Sequence, residues 1–230
     1  MTVSCDASLL SAKNIQPAVS RSIVEDTEAY EKNVNQASLA NTTDEAKESS
    51  PLDFKTKYET KISEARRFIK KRGMNEEFAV FIDMSLHSGK KRMFVYDLRQ
   101  NELMLDGLVT HGSCSGLPED ERKQKQPQFN NVPNSHCSSL GKYAIAQRAK
   151  SGWGIRIKYW IDGLEKSNDN ARRRVVVLHS WGAIGDKEVY PESIAESWGC
   201  PAVSNRVMVS LDNMFIDKDK DVLLWSFKDD

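Results

Sequence analysis

Ile155-Arg156-Ile157-Lys158-Tyr159-Trp160-Ile161 places Ile155, Ile157, Tyr159 and Ile161 at every second position. A period of two puts alternate side chains on one face of a pleated chain, so the stretch predicts a strand with one buried side. Outward from it, Phe78–Ile82, Met93–Leu98, Leu103–Val109 and Tyr143–Ala146 precede, and Val175–Leu178, Val207–Leu211 and Val222–Phe227 follow. Each is short and rich in residues that suit a pleated, half-buried surface. Arg99-Gln100-Asn101-Glu102 reads as a hairpin connection. Many short strands joined by polar loops predict a mainly β sandwich or barrel. Regular strand–helix alternation is missing, which argues against a doubly wound sheet.

Before the strands, Phe54, Tyr58, Ile62, Ala65 and Ile69 recur at the spacing of one helix face. They predict an amphipathic helix over 53–72, with Asp53 as N-cap and Gly73 as stop, packed on the β core. Residues 1–50 are rich in Ser, Asn, Thr, Glu and Ala and poor in aromatics. Such a segment buries too little apolar surface to offset the entropy of ordering, so it reads as a tail or tether. The expected organisation is a tail over 1–50, the helix region over 51–75 and a catalytic domain over 76–230. Neither an internal repeat nor a phosphate-cradling glycine loop is present.

The chain has 230 residues, with 33 basic and 33 acidic side chains. That balance gives no argument for a nucleic-acid partner. No apolar run is long enough to cross a bilayer. Met1-Thr2-Val3-Ser4-Cys5 lacks the basic start and long apolar stretch of an intact signal peptide. A disordered start is the favoured reading of it. The remnant of an export signal, with Cys5 as a lipid-attachment site, is the alternative. Four cysteines are too few for a disulfide scaffold. Cys114 and Cys137 stand in polar, loop-like segments and are compatible with pairing in an oxidising compartment.

Cys200 stands in Glu196-Ser197-Trp198-Gly199-Cys200-Pro201-Ala202. Gly199 permits a tight backbone path beside the sulfur, and nearby N–H groups favour a thiolate and the oxyanion of a tetrahedral intermediate. Pro201 has no N–H, so such donors must come from Gly199 or Cys200. A small buried structural thiol explains the same residues. His179 follows Val175-Val176-Val177-Leu178, at the polar end of an expected strand. From there it is well placed to take the proton of a loop thiol. No carboxylate partner is evident, and the Ser180 carbonyl is the candidate to orient the imidazole. His111, Cys114, His136 and Cys137 join these two as soft ligands, so a zinc site is an alternative. Against it, no C-x-x-C occurs and adjacent His-Cys chelates one ion awkwardly. Phe129–Ser135 is a loop dense in amide side chains, suited to a peptide or sugar backbone or simply to turns. Arg172-Arg173-Arg174 reads as a solvated lead-in to a strand, with docking of an anionic group as the other reading.

Together these segments resemble the YkuD-like murein L,D-transpeptidase catalytic domain family, from about Phe78 to about Val209. The carrying motifs include Phe81-Ile82-Asp83-Met84-Ser85, Thr110-His111-Gly112 through Ser115-Gly116, and Ser138-Ser139-Leu140-Gly141-Lys142-Tyr143. Val175–His179 and Ser197-Trp198-Gly199-Cys200-Pro201-Ala202-Val203 complete the ordered set. The family signature is a His at a strand end followed by Ser-x-Gly-Cys, matched by His179 and Ser197–Cys200. The wider family usually carries Arg two residues after its Cys, where this chain has Ala202.

The resemblance implies a mainly β core and peptidoglycan stem peptides as substrate, in the periplasm or cell envelope. It implies attack of the Cys thiolate on the third-residue carbonyl of a tetrapeptide stem, release of terminal D-Ala, and transfer to an amine or to water. Neither a metal nor another cofactor is needed. Cys200 would be the nucleophile and His179 its base, oriented by Ser180. Gly199 and Cys200 would supply oxyanion donors. His111, Asn134, Ser138, Ser197 and Trp198 would line or brace the substrate pocket.

Overall fold

The computed structural model describes residues 51–114 and 127–229, all within the unit Thr42–Asp230. The expected tail over 1–50, Cys5 and the Ser115-Gly116 motif lie outside the described residues.

Eight strands form one sheet: β1 (Phe78–Asp83), β2 (Met93–Asp97), β3 (Glu102–Gly107), β4 (Gly141–Lys150), β5 (Ile157–Gly163), β6 (Val177–Ser180), β7 (Ala202–Val203) and β8 (Val222–Phe227). Their order is β3-β2-β1-β8-β4-β5-β6-β7. β1 with β8 and β6 with β7 are parallel, while the other neighbours are antiparallel. Every residue of β1, β2 and β8 is buried. Strands covered on both faces read as continuous apolar runs, which is why Phe78–Ile82 shows no alternation.

One covering layer is α1 (Pro51–Arg72). Its Phe54, Tyr58, Ile62, Ala65 and Ile69 pack with Phe94, Tyr96, Trp225 and Phe227 of the sheet. The Phe54 ring lies 4.7 Å from Tyr58 and 4.9 Å from Phe94. Burial of each such large side chain contributes about 1.5–3 kcal/mol. The helix begins at Pro51, so Asp53 falls inside its first turn and is not the cap; a proline whose amide needs no partner opens it instead. Gly73 ends it in a left-handed conformation, φ +65°, as expected.

The sheet nearly closes into a barrel. Beyond β3 the chain crosses to the other edge, where Thr110 N–H donates to Ala202 O (3.0 Å) and Ser197 N–H to His111 O (2.8 Å). Ser113 N–H donates to Ser197 O (2.9 Å), and Gly112 bridges Ser197. This seam joins the two sheet edges, and the Ser197–Cys200 loop lies along it.

Three strand expectations need correction. Val207–Leu211 belongs to helix α2 (Asn205–Phe215). Ser204 caps that helix, accepting from Val207 N at 3.1 Å, and Val207, Leu211 and Phe215 are buried at a spacing of four. β5 starts at Ile157, because Gly154 and Arg156 both take positive φ in the preceding turn and break the pleat at Ile155. β6 starts at Val177, after an exposed Val175 at φ +57°, so His179 lies within the strand and not just beyond it. Asp97 and Asn101 form the β2–β3 turn where the hairpin is expected; Asp97 Oδ1 accepts from Arg99 and Gln100 N–H, both at 2.7 Å.

Candidate active site

The β6–β7 register sets His179 opposite Ala202. Continued two residues back, it sets Cys200 beside Val177, and Val177 N–H points at Cys200 Sγ (3.4 Å). Val177 and His179 are two apart on a strand and share a face. Adjacent strands therefore bring Cys200 and His179 to the same patch, without a direct bond between thiol and imidazole in this structure. The thiol donates instead to Val175 O at 3.8 Å.

His179 Nδ1 lies 3.0 Å from Ser180 O. A carbonyl only accepts, so Nδ1 carries the hydrogen and Nε2 keeps a free lone pair. Ser180 itself is fully buried, its hydroxyl accepting Ile155 N–H at 2.9 Å, which fixes the carbonyl that holds the ring. Burial pushes the Cys200 thiol above its ordinary value, opposed by the Val177 N–H and by the charges of Arg174 and Lys158. Burial pushes His179 below its ordinary value; the Ser180 carbonyl opposes this, while Lys158 adds to it. Both shifts favour a neutral thiol beside a neutral imidazole over a preformed ion pair.

Three hydroxyls hold the Cys200 loop, each accepting from one amide and donating to a carbonyl of the loop; Ser197 Oγ also lies 3.2 Å from His111 O. Thr110 Oγ1 accepts from Ala202 N and donates to Cys200 O, both at 2.9 Å. Ser197 Oγ accepts from Gly199 N at 3.2 Å and donates to Cys200 O at 2.6 Å. Ser138 Oγ accepts from Gly112 N at 3.0 Å and donates to Gly199 O at 3.2 Å. Gly199 takes φ +100°, and a Cβ there would lie 2.6 Å from Cys137 O, so only glycine fits. Its amide is engaged by Ser197, which leaves the Cys200 amide as the free member of the expected oxyanion pair.

The expected pocket residues divide. His111 is buried at 3% exposure, with Nδ1 accepting from the Arg92 guanidinium (2.9 Å) and Nε2 3.3 Å from Glu196 Oε1. It braces the seam through its carbonyl and does not line a pocket, because its ring is enclosed by Arg92 and Glu196. Ser138 and Ser197 are likewise buried braces. Trp198 is half-exposed and stacks on His136, with ring centroids 4.9 Å apart and a 12° tilt. Asn134 is exposed at a turn with φ +61°.

Cys114 and Cys137 form a disulfide. Two of the six soft ligands are thereby bonded to each other and His111 is hydrogen-bonded to Arg92, so three of the six are engaged elsewhere. Among the described residues no three His, Cys, Asp or Glu side chains gather as metal ligands. A surface cavity of about 980 Å³, lined by Arg66, Asn75, Arg99, Asp217 and Lys218 among others, includes neither Cys200 nor His179.

The sequence reading left out Thr110 as a loop anchor, the Arg92–His111–Glu196 group and the inward turn of Arg174. Of the Arg172–Arg174 run, Arg172 is solvated and paired with Asp162 (2.6 and 2.7 Å). Arg174 is half-buried against the Cys200 loop. Their signals are distributed: Thr110 and Ala202 are 92 positions apart and meet only at the seam.

The chain belongs to the L,D-transpeptidase catalytic domain family (YkuD_2), which it matches over residues 48–225. Solved structures also match the chain at low identity. One is the Ldtfm–avibactam carbamoyl enzyme, 13% identical with a TM-score of 0.38, covering 68% of this chain and 51% of that one. The helical cell shape determining protein Pgp2 from Campylobacter jejuni is 10% identical with a TM-score of 0.40, covering 67% and 49%. The L,D-transpeptidase of Xylanimonas cellulosilytica is 10% identical with a TM-score of 0.34, covering 70% and 68%. The match thus spans about half the length of the first two. No curated protein matches the chain.

Proposed function

We propose that the chain is a cysteine acyl-transfer enzyme of the cell envelope acting on peptidoglycan stem peptides. The observation that supports this is the placement of Cys200, just before β7, beside Val177, two residues from His179 on β6, in a chain of the L,D-transpeptidase family. His179 Nε2, its tautomer set by the Ser180 carbonyl, takes the thiol proton as Sγ attacks the third-residue carbonyl of a tetrapeptide stem. The Cys200 N–H is the proposed donor to the oxyanion. Collapse breaks the amide, His179 returns the proton to the departing D-Ala amine, and a thioester remains on Cys200. An amine of a second stem then attacks the thioester, restoring the thiol and forming a 3→3 crosslink. Trp198, Asn134 and the polar loop near them are the proposed substrate wall. The disulfide supports an oxidising compartment outside the cytosol.

The test is incubation of the full chain and of Cys200→Ala with purified tetrapeptide muropeptides, reading products by mass. Wild type is expected to give crosslinked dimers and free D-Ala, and the variant neither. Tripeptides without dimers would make water the acceptor. A Cys200→Ala variant as active as wild type would refute the nucleophile. A wild type that leaves every muropeptide unchanged and takes no carbapenem adduct would point to a non-catalytic wall-binding module.

A further inference from the structure

Arg174 lies just before β6, and its guanidinium is held by the Asn130–Ser139 segment, close against Gly199. Nη1 donates to Asn130 O (3.3 Å) and Ser139 Oγ (3.2 Å), and Nη2 to Ser135 Oγ (3.5 Å) and to the Cys137 carbonyl. A methyl group on Gly199 would stand 3.3 Å from Nη2, so the charge packs directly against the residue preceding the nucleophile. All four acceptors are uncharged. Three other arginines meet carboxylates, Arg148 with Asp212, Arg172 with Asp162 and Arg206 with Asp186, while the buried Arg92, like Arg174, bonds to uncharged acceptors. Among the described residues, the groups able to turn negative that act on Arg174 are Tyr143 and Cys200. Burial pushes the Tyr143 phenol up to about 12, so it stays neutral near pH 7. A guanidinium cannot shed its charge there, and a half-buried cation with no carboxylate partner among the described residues favours any anion formed beside it.

We propose that Arg174 is a positioning residue that presents a fixed positive charge to the Cys200 loop, stabilising the sulfur as an anion, and that the Cys114–Cys137 disulfide steadies the carbonyl that holds it. The inference rests on Cys200 being the nucleophile but not on the identity of its substrate. Other titratable groups face the sulfur's surroundings: Lys158 from β5, His179 from β6 and His136 stacked on Trp198. Of the cations acting on Cys200, Arg174 is the one braced by four hydrogen bonds; Lys158 lies over the Trp160 ring.

The test is the pH dependence of Cys200 alkylation by iodoacetamide in the full chain with its disulfide intact. Wild type, Arg174→Gln and Arg174→Lys are compared, with the site of labelling read by mass. Arg174→Gln is expected to raise the midpoint by about one pH unit, the smallest effect usual for losing a nearby opposite charge. Arg174→Lys is expected to recover at least half of that shift, which a purely structural role would not predict. A folded Arg174→Gln with an unchanged midpoint overturns the proposal. A second measurement needs no variant: the iodoacetate-to-iodoacetamide rate ratio at Cys200 should exceed that of free cysteine, because the anionic reagent is drawn to the guanidinium. A ratio at or below that of free cysteine overturns it as well. Neither readout involves muropeptides. A shifted midpoint in a protein inert on muropeptides would refute the proposed substrate and spare Arg174; an active protein with no shift would do the reverse.

Discussion

Thr110→Val separates the hydroxyl that clamps the active loop from the shape that fills its site. Thr110 is fully buried, and valine keeps its volume while removing one acceptor and one donor. The two bonds lost are unequal. Cys200 O retains the Ser197 hydroxyl at 2.6 Å, so losing Thr110 there costs about 1 kcal/mol. Ala202 N–H has Thr110 Oγ1 as its acceptor in a residue with no exposure, and leaving it unpaired costs about 1–3 kcal/mol. The expected loss is about 2–4 kcal/mol, read as a lower urea midpoint with an unchanged slope. Thr110→Ser keeps both bonds and removes one methyl, so it should cost about 1 kcal/mol. Alkylation at Cys200 should slow in the valine variant and not in the serine variant, because the loop carbonyl loses one of its two anchors. If valine and serine were equally destabilising, or if valine matched wild type, the hydroxyl would not be the clamp.

Other outcomes follow from the same geometry. Gly199→Ala should lose several kcal/mol, since φ +100° is strained for any side chain and the new methyl meets a backbone carbonyl at 2.6 Å; circular dichroism melts read it directly. His111, lowered chiefly by burial and then by the Arg92 charge against the pull of Glu196, makes stability fall in acid. Its folded value lies below its unfolded one, so its contribution is present above pH 6.5 and lost as pH falls toward the folded value. Melting temperatures of wild type should therefore drop faster below pH 6.5 than those of His111→Gln; parallel curves would refute this. By the same sign, the lowered His179 keeps its accepting lone pair below pH 6.5, so the acid limb of turnover should lie beneath the ordinary histidine value.

Much of this was legible from period and punctuation. Ile157, Tyr159 and Ile161 alternate because one face of β5 is buried, and Gly73 marks a helix end because few residues other than glycine accept its φ. Val207–Leu211 misled because Val-Met-Val-Ser-Leu satisfies a period of two as readily as one of four; Ser204 as cap is the signal that separates them. His179 and Cys200 stand out as a pair within an ordered set of flanking segments, neither being decisive in its own local setting. Thr110, Ser138 and Arg174 do not, being ordinary residues whose roles arise from contacts made across 90, 61 and 37 positions of chain. The burial of His111 was equally hidden, since nothing near it in sequence announces Arg92 or Glu196.

The crossing of the chain after β3 to meet β7 has a consequence for timing. The hydrogen bonds that shut the barrel and those that shape the Cys200 loop run through the same residues, Thr110, His111, Ser197 and Ala202. A chain whose two sheet edges have not yet met has a thiol but no oriented backbone around it. On the role proposed for Cys200, closure of the barrel and onset of reactivity are thus a single event. The exchange of the Ala202 and Ser197 amides with solvent should report both in one rate.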